Sequence, residues 1–540
     1  MSTKLREIIE RTRPWACGLY LFLGLLVLGP GLAPGNLFLL DMTWPDRMRF
    51  DSFVASRIDS STPLNFMLWA LGQVVPSSLL QKAVLVLTIT ACGYGAYRLS
   101  LLISRSKKVA FVSGAISCLN PYVLSRLAAG QWQVVAGYAY LLFLLVAIIK
   151  LSRKFTKKRL LVAAAMWLAY PLLSIHWWYM TTLFLLPMFT YRIIILAKNR
   201  ASASAIKNSL AYVGLLVVGI VLVGVLGRIF GTQIHGFGSQ DFVAFSTGSG
   251  GQFGALGSVL TLRGFWFSDG GLPVAANLIW MLLCGVSLIA TGYCFWVIYA
   301  KNKLLGTYLT LTLVVIIILA VGYSNTYTAR LIDLLRSAIP GFEGLRDTQK
   351  FVGFIALTYS LCVPYAAVQI YGHRKNLGVF LGTFMTLMYM ITASVMIPIN
   401  YADFRVSHYP ESWKILRQKM SDKKLKKTLV LPWESYVHLP FAGNNLVANP
   451  AEYYFGNQVH TRRGSTNRLL DQKASTASID SQILSLKRSS AALKYIAGQG
   501  YDSLMLLNVE DTESYRQVLD DHGLQKTYQD KDISLYRLLD

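Results

Sequence analysis

The chain has 540 residues, of which 54% are hydrophobic, with a mean hydropathy of +0.44 and a formal net charge of +25. This composition excludes an ordinary water-soluble protein, because apolar stretches of about 20 residues recur, the length that crosses a hydrocarbon core of about 30 Å. The charge does not indicate a nucleic-acid partner. Before residue 399 there are 33 Lys and Arg against 11 Asp and Glu, and the basic residues cluster in alternate loops, as in membrane proteins.

Eleven apolar segments predict membrane spans. The segments are unbroken rather than alternating, and a bilayer accommodates only helices or closed barrels, so the spans are predicted to be helical. The predicted fold is therefore an all-α polytopic membrane bundle over residues 1–398, followed by a small extracytoplasmic α/β domain over 399–540. The spans cover roughly 16–40, 80–104, 109–119 continuing toward 125, 133–149, 160–175, 178–197, 209–229, 273–299, 304–322, 351–371 and 377–398.

Between residues 11 and 398, acidic side chains are confined to three loops, whereas the loops between them carry almost only Lys and Arg, and this fixes the predicted orientation. The N-terminal tail and every second loop after it carry Lys and Arg, which places the N-terminus in the cytoplasm and residues 399–540 outside. The basic start and long apolar run predict a signal-anchor, so we expect a multi-pass protein of the cell membrane. Between residues 11 and 398, the acidic side chains fall in three external loops: Asp41, Asp46, Asp51 and Asp59; Asp241 and Asp269; and Asp333, Glu343 and Asp347.

The first external loop runs from about 41 to 79 and contains a short apolar stretch between Pro63 and Pro76. Twelve residues are too few to span, so this stretch is predicted to lie in the membrane interface. In the tail, KTLVLPW and DSLMLLN predict strands, EDTESYRQVLDDHG a helix, and LQKTY with ISLYRLL a hairpin.

The first-loop aspartates are the first candidates for chemistry. Asp41 is predicted to follow the first span at the outer membrane surface, where a carboxylate can deprotonate an acceptor hydroxyl beside a lipid-linked substrate. Asp46 and Asp51 follow five and ten residues later. With Asp41 they offer oxygen ligands for a divalent cation, although Arg47 and Arg49 between them offer simple ion pairs instead. A solvated loop acid is the alternative interpretation of Asp41.

The motif NPYVLSRLAAGQW links the predicted third and fourth spans on the outer face. Pro121 is expected to interrupt the helix and leave Arg126 near the surface, followed by Gln131 and Trp132. An Arg at this place can bind a phosphate with two parallel hydrogen bonds. The alternative is a snorkelling Arg beside an interfacial Trp anchor.

A second charged motif, GFEGLRDTQKF, leads into the predicted tenth span. Its two cations suit a lipid-phosphate headgroup, although its acids can simply neutralise them. His176, in SIHWWYM, is predicted to lie in a tight external hairpin and belongs more naturally to an aromatic interfacial cluster than to a catalytic pair. The substrate-binding candidates are therefore Arg126, Gln131, Trp132, His176, Glu343, Arg346, Asp347 and Lys350.

These features together resemble the GT-C class of membrane glycosyltransferases. The order of its motifs is similar to that of one branch of the class. These motifs are an Asp after the first span, NPYVLSRLAAGQWQVVAGYAYLL, LRDTQKF, LPWESY and NPAEYYF. That branch includes bacterial and archaeal proteins similar to the membrane part of the mycobacterial α-(1→3)-arabinofuranosyltransferase. The likeness covers most of residues 15–460.

The resemblance implies a polyprenyl-phosphate sugar donor, a glycan or lipid-linked acceptor outside the cytoplasm, and inverting transfer. It implies that an aspartate of the first loop assists the transfer, and that this aspartate is Asp41, with Asp46 as the fallback. It also implies that Arg126, Arg346 and Lys350 face the donor phosphate. The acidic pairs common in the wider class are absent from the first loop, which leaves metal dependence open.

Two other functions remain compatible with the sequence. One is a non-catalytic protein of cell-envelope assembly whose tail binds glycan or other proteins. The other is a lipid-glycan flippase or polymerase. The centres of the predicted spans carry almost no ionisable side chains, whereas ion-coupled transporters usually do.

Overall fold

The computed structural model describes residues 3–54, 60–198, 210–221 except 212 and 215, 239–248, 254–265, 274–339, 341–422, 425–462, 483–486, 491–509 and 512–538. Most of the predicted seventh span, 209–229, lies outside these ranges, as do Asp59 and Asp269. The backbone of Glu343 is described, but its side chain is not.

Helices dominate the first 403 residues. The described part of the chain contains eight helices that are long and apolar enough to cross a membrane, so the prediction of a polytopic helical membrane protein is confirmed. The helices are α1 (Thr3–Leu28), α2 (Phe50–Phe53), α3 (Thr62–Leu71), α4 (Ser77–Ser104), α5 (Lys107–Leu119), α6 (Pro121–Ala128), α7 (Trp132–Arg153), α8 (Lys157–Lys198), α9 (Ser239–Ala244), α10 (Gly254–Leu260), α11 (Val274–Lys301), α12 (Lys303–Val321), α13 (Thr326–Ala338), α14 (Val352–His373) and α15 (Lys375–Asp403).

Two predicted spans, the first and the third, differ in detail from the helices. The first was predicted to reach residue 40, but α1 ends at Leu28 because GPGLAPGN breaks it, with Gly29 and Gly35 at positive φ. The apolar residues after this break, Asn36–Leu39, form a strand instead. The third, α5, has only 13 residues, fewer than the 20 or so that a bilayer requires.

The predicted fifth and sixth spans are the two parts of α8. Ser174 inside it has φ −158° and ψ 99°, which is not helical. The rings of Trp167 and Trp178 approach to 5.7 Å between centroids, although eleven residues of straight helix would separate them by about 16 Å along the axis. The chain therefore bends back at Ser174, as the predicted hairpin requires.

The bundle is organised around α4, which packs against α1, α5 and α7. Small residues allow these close contacts: a Cβ at Gly93 would lie 2.5 Å from the Tyr20 ring, and a Cβ at Gly95 would lie 2.9 Å from Leu142. Hydrophobic burial contributes little to the association of helices inside a membrane. Close packing of this kind is therefore a main source of the stability of the bundle.

The tail forms a mixed sheet with helices. Strand β4 is buried along its whole length, with Leu429 and Leu431 on one face and Val430 on the other. It pairs in parallel with β7 and β8. The five-stranded order is β7-β4-β8-β10-β9, from β4 (Thr428–Leu431), β7 (Val459–His460), β8 (Ser503–Leu507), β9 (Gln525–Gln529) and β10 (Ile533–Arg537), with helices at Glu411–Asp422, Ala451–Phe455, Ala491–Gly498 and Glu513–Asp521.

Two smaller sheets join the tail to the first loop. Strand β1 (Asn36–Leu39) lies between β2 (Met42–Thr43) and β3 (Val406–Ser407), so the first loop pairs with the segment that follows the last membrane helix. Strands β5 (Tyr436–Leu439) and β6 (Asn445–Ala448) form a hairpin beside them. This arrangement brings residues about 400 positions apart to one end of the bundle.

Candidate active site

Asp41 occupies a tight turn between β1 and β2. Leu39 pairs with Met42, so Leu40 and Asp41 form a two-residue hairpin loop. The backbone N–H of Asp41 donates to the carbonyl of Ala129 at 2.9 Å, which fixes the turn on the loop after α6. The carboxylate therefore projects from a β-hairpin, and not from the end of a membrane helix as the sequence predicted.

Gly130 allows this contact. Its φ is +74°, a left-handed conformation that glycine adopts without steric cost. A Cβ there would lie 2.7 Å from the Cβ of Met42 and 2.9 Å from the Cβ of Leu39, closer than real Cβ atoms approach other atoms. The hairpin that carries Asp41 thus rests directly on the Gly130 backbone.

Asn120 positions the helix that carries Arg126. Its side-chain oxygen accepts from the N–H of Val123 at 3.1 Å and caps α6, while its amide donates to the carbonyls of Ile116 and Ser117 at 3.1 and 2.7 Å. Pro121 occupies the first turn of α6, where its missing N–H is not needed. The Asn-Pro pair therefore ends α5 and starts α6 at a fixed angle.

Arg126 is fully buried at the end of α6. One guanidinium nitrogen, Nη1, donates to the side-chain oxygen of Gln131. The ring of Phe265 covers the guanidinium with its centroid 4.2 Å from Cζ. The other two nitrogens, Nε and Nη2, have no hydrogen-bond partner among the described residues. Buried donors without a partner are costly, and they are the kind of group that an anionic ligand satisfies.

Gln131 and Tyr436 hold the Asp41 carboxylate from two sides. The Gln131 amide donates to Oδ2 at 2.7 Å, and the Tyr436 hydroxyl donates to Oδ1. Since Gln131 also accepts from Arg126, a continuous chain of hydrogen bonds links the buried cation to the carboxylate.

The electrostatics of Asp41 are set by burial and by these neutral donors. Its side chain is open to solvent, yet protein atoms surround it densely, so it lines a recess. Desolvation raises the pKa of Asp41, and the hydrogen bonds from Tyr436 and Gln131 and the charge of Arg126 oppose that rise. A raised pKa makes this carboxylate a stronger base than a solvated aspartate.

The segment before α14 adds a charged group to the same recess. Lys350 forms an ion pair with Asp347 at 2.9 Å, and Nε of Arg346 lies 3.7 Å from Oδ1 of Asp347. The Arg346 guanidinium stacks on Phe245, with Cζ 4.1 Å from the ring centroid. Burial raises the pKa of Asp347, but the charges of Lys350 and Arg346 outweigh it and hold the pKa at about 2.

Asp347 interacts electrostatically with both Asp41 and Arg126. The first loop, the motif after α5 and the segment before α14 therefore contribute charged side chains to the same recess. His176 is half-buried near the bend in α8 and interacts electrostatically with Lys350, Asp347, Arg346 and Arg126. The structure thus assembles most of the predicted substrate-binding residues into one cluster.

Trp132 stands apart from these interactions. Trp132 begins α7 and packs against the main hydrophobic core. Glu343 lies in a short 3₁₀ turn, Phe342–Gly344, which places its backbone near the charged segment.

Asp46 and Asp51 face the tail. Asp46 accepts from the Asn36 amide at 2.7 Å, and Asp51 is paired with Arg49 at 3.0 Å. In the part of the chain that the structure describes, no three His, Cys, Asp or Glu side chains are grouped to hold a metal ion. The structure therefore gives Asp41, Asp46 and Asp51 different neighbours, and a shared divalent ion stays a prediction without a ligand set.

Two residues of the site were not singled out by the sequence analysis. Tyr436 comes from the tail, and Phe265 from a glycine-rich loop. A signal existed for Tyr436, since it ends the LPWESY motif. Its role depends on a contact across 395 residues, and local sequence carries no information on such a contact.

Comparisons with known proteins identify the fold. No family model and no curated protein matches the chain. Among solved structures, it superposes on the arabinofuranosyltransferase AftD from mycobacteria with a TM-score of 0.60 and 13% identity, covering 98% of this chain and 40% of that one. A mutant of AftD gives a TM-score of 0.59 and 12% identity, with 97% and 41% covered. The predicted resemblance is thus confirmed for the fold, and the chain spans about two fifths of the length of that enzyme.

Proposed function

We propose that this chain is a membrane glycosyltransferase that moves a sugar from a polyprenyl-phosphate donor to an extracytoplasmic glycan or lipid-linked acceptor. The observation that carries the proposal is the hydrogen-bonded chain from the buried Arg126 through Gln131 to Asp41. It places a base and a cation with unpaired donors at one recess, the combination that a glycosyl phosphate requires. The shared fold with AftD supports the same class of reaction.

In this mechanism, Asp41 takes the proton from an acceptor hydroxyl. The acceptor oxygen attacks the anomeric carbon of the donor, the bond between that carbon and the phosphate oxygen breaks, and the configuration inverts. The electron pair leaves on the polyprenyl phosphate. Asp41 keeps the proton until the product departs, so charge and atoms balance in the step.

The departing phosphate gains negative charge, and the basic residues stabilise it. Nε and Nη2 of Arg126 are the open donors. The ring of Phe265 packs on the guanidinium and helps to hold it in place. Arg346 and Lys350 contribute positive charge, while Asp347 balances them when no phosphate is bound.

The placement in the membrane belongs to the same proposal. Eleven spans over residues 1–398, with the short α5 counted as the third, would put the N-terminus in the cytoplasm and residues 399–540 outside. The alternation of basic and acidic loops supports this orientation. The recess would then open at the outer face, where a polyprenyl chain in the outer leaflet presents its phosphate.

The experiment is donor cleavage by purified protein in proteoliposomes. A panel of short-chain prenyl phospho-pentoses and phospho-hexoses is supplied with a mixed glycan acceptor, and the release of prenyl phosphate is measured. Release from at least one donor, abolished in Asp41→Asn protein of equal yield, supports the proposal.

The two alternative functions predict other results. A flippase would move the lipid-linked sugar across the vesicle without cleaving it. An envelope-assembly protein would leave every donor intact and would tolerate the combined loss of Asp41, Arg126 and Arg346. Either result would overturn the proposed transferase.

A further inference from the structure

The tail is bonded to the residue next to Asp41. Tyr436 pairs with Ala448 across the β5–β6 hairpin, and the N–H of Ala448 donates to the carbonyl of Leu40 at 2.8 Å. The hairpin therefore extends the turn that carries Asp41, and its first residue delivers a hydroxyl to the Asp41 carboxylate.

The Tyr436 ring is fixed by a small apolar cluster. Tyr436 and Leu446, both from the hairpin, pack against three buried residues contributed by three other segments: Leu40, Ala129 and Phe265. Four separate parts of the chain thus converge around this ring. A phenol held so firmly presents its O–H in one direction.

We propose that Tyr436 is a positioning residue for the reaction, which holds Oδ1 of Asp41 so that the carboxylate faces the acceptor hydroxyl. The inference rests on the proposed function and extends it. It makes the C-terminal segment a part of the active site, whereas the sequence indicated only that the tail could bind glycan or other proteins.

The hydrogen-bond capacity of the carboxylate fits this role. Each carboxylate oxygen has about two lone-pair sites. Gln131 occupies one on Oδ2 and Tyr436 one on Oδ1, so each oxygen retains a site for an acceptor O–H. Both donors are neutral, so they orient the base without cancelling its charge. Asp51, by contrast, is paired with the cation of Arg49.

The charged groups around the pair are Arg126 and Asp347, which act on Asp41, and Arg346 and Asp347, which act on Tyr436. Burial, followed by the charge of Asp41, raises the pKa of Tyr436, so its hydroxyl keeps its proton and stays a donor. The hydrogen bond from Tyr436 lowers the pKa of Asp41, so removal of the hydroxyl raises it.

The test is Tyr436→Phe in the whole 540-residue chain, because phenylalanine keeps the ring and removes only the hydroxyl. The matched control is Tyr528→Phe, which removes another tail hydroxyl, bonded to the Ser412 carbonyl at 3.3 Å. For Tyr436→Phe we expect turnover to fall about 10- to 100-fold, with the donor KM changed less than about 3-fold, the effect of losing one hydrogen bond to a charged group. The acid limb of its pH profile should move to higher pH.

A second measurement is independent of catalysis. Carbodiimide modifies protonated carboxyls, and mass spectrometry follows its reaction with Asp41 as a function of pH. The midpoint should rise in Tyr436→Phe and stay unchanged in Tyr528→Phe, even if the wild-type protein cleaves no donor. An unchanged midpoint and pH profile, or equal losses in Tyr436→Phe and Tyr528→Phe, would overturn the positioning role. If the wild-type protein cleaves no donor but the midpoint still shifts in Tyr436→Phe, the proposed transferase function is rejected, while the contact between Tyr436 and Asp41 is supported.

Discussion

The hairpin that carries Asp41 and the segment 346–350 each bring one aspartate to the same recess, with opposite surroundings. Asp41 is held by two neutral donors, Gln131 and Tyr436, and burial raises its pKa. Asp347 is also buried, but Lys350 lies 2.9 Å from it and holds its pKa at about 2. Two carboxylates of the same type are thus driven apart in proton affinity.

This difference supports different proposed roles for the two carboxylates. A carboxylate beside neutral donors keeps the basicity needed to accept a proton, whereas a carboxylate locked between cations stays ionised and serves as a counter-charge. Separation of two pKa values at one site is a common sign of acid–base chemistry. For the proposed transferase, the comparison favours Asp41 as the base and Asp347 as the group that balances the basic residues.

The largest effect is expected at Asp41. Asn keeps the shape of the side chain but cannot take a proton, so Asp41→Asn should lower donor cleavage by about 10²- to 10⁴-fold. The measurement is prenyl phosphate release in proteoliposomes. Asp333→Asn, at an exposed aspartate hydrogen-bonded to Tyr323 and paired with Arg336, is the control and should stay near wild type. Near-normal cleavage by the Asp41→Asn protein would show that Asp41 is not the base.

Arg126 comes next. Lys keeps the charge but lacks the planar fork that meets phosphate with two hydrogen bonds, so Arg126→Lys should weaken binding of decyl phosphate by about 10- to 100-fold. Calorimetry with decyl phosphate as the probe measures this. If Arg126→Lys binds as tightly as wild type, the unpaired nitrogens of Arg126 do not face the phosphate.

Substitution of Gly130 tests whether the position of the Asp41 carboxylate matters, because it leaves the carboxylate itself unchanged. A Cβ at Gly130 would collide with Leu39 and Met42 and displace the Asp41 turn, so Gly130→Ala should lower cleavage by about 10-fold and stability by about 1–3 kcal/mol. Gly443 has the same φ, +74°, with open space around it. Gly443→Ala shares only the backbone strain, and equal activity losses in both variants would refute displacement of the turn.

The smallest effect concerns Asp347 and pH. Since its folded pKa lies below its ordinary value, its ionisation stabilises the protein above about pH 4, and this contribution disappears as pH falls toward 2. Wild type should therefore melt a few degrees above Asp347→Asn at pH 7, with the gap narrowing below pH 4. Thermal unfolding in detergent measures the gap. A gap that is independent of pH would mean that Asp347 does not act through its charge.

Much of the architecture was predictable because it depends on local properties. Span length and the separation of basic from acidic loops need no long-range contact, and the tail strands at 428–431 and 503–507 follow from short apolar runs. The position of Asp41 was predicted less well. An apolar run cannot distinguish the end of a helix from a strand, and here NLFL became β1 once GPGLAPGN had ended the helix.

The sequence by itself determined a polytopic helical bundle and the candidates Asp41, Arg126, Arg346, Asp347 and Lys350, because hydropathy, charge and residue chemistry are local quantities. Only the tertiary structure decided which carboxylate meets neutral donors and which meets cations. It brought Tyr436 to Asp41 across 395 residues and rested the Asp41 turn on Gly130. Proton affinity depends on the groups within a few ångströms of a carboxyl, and chain folding alone selects those neighbours.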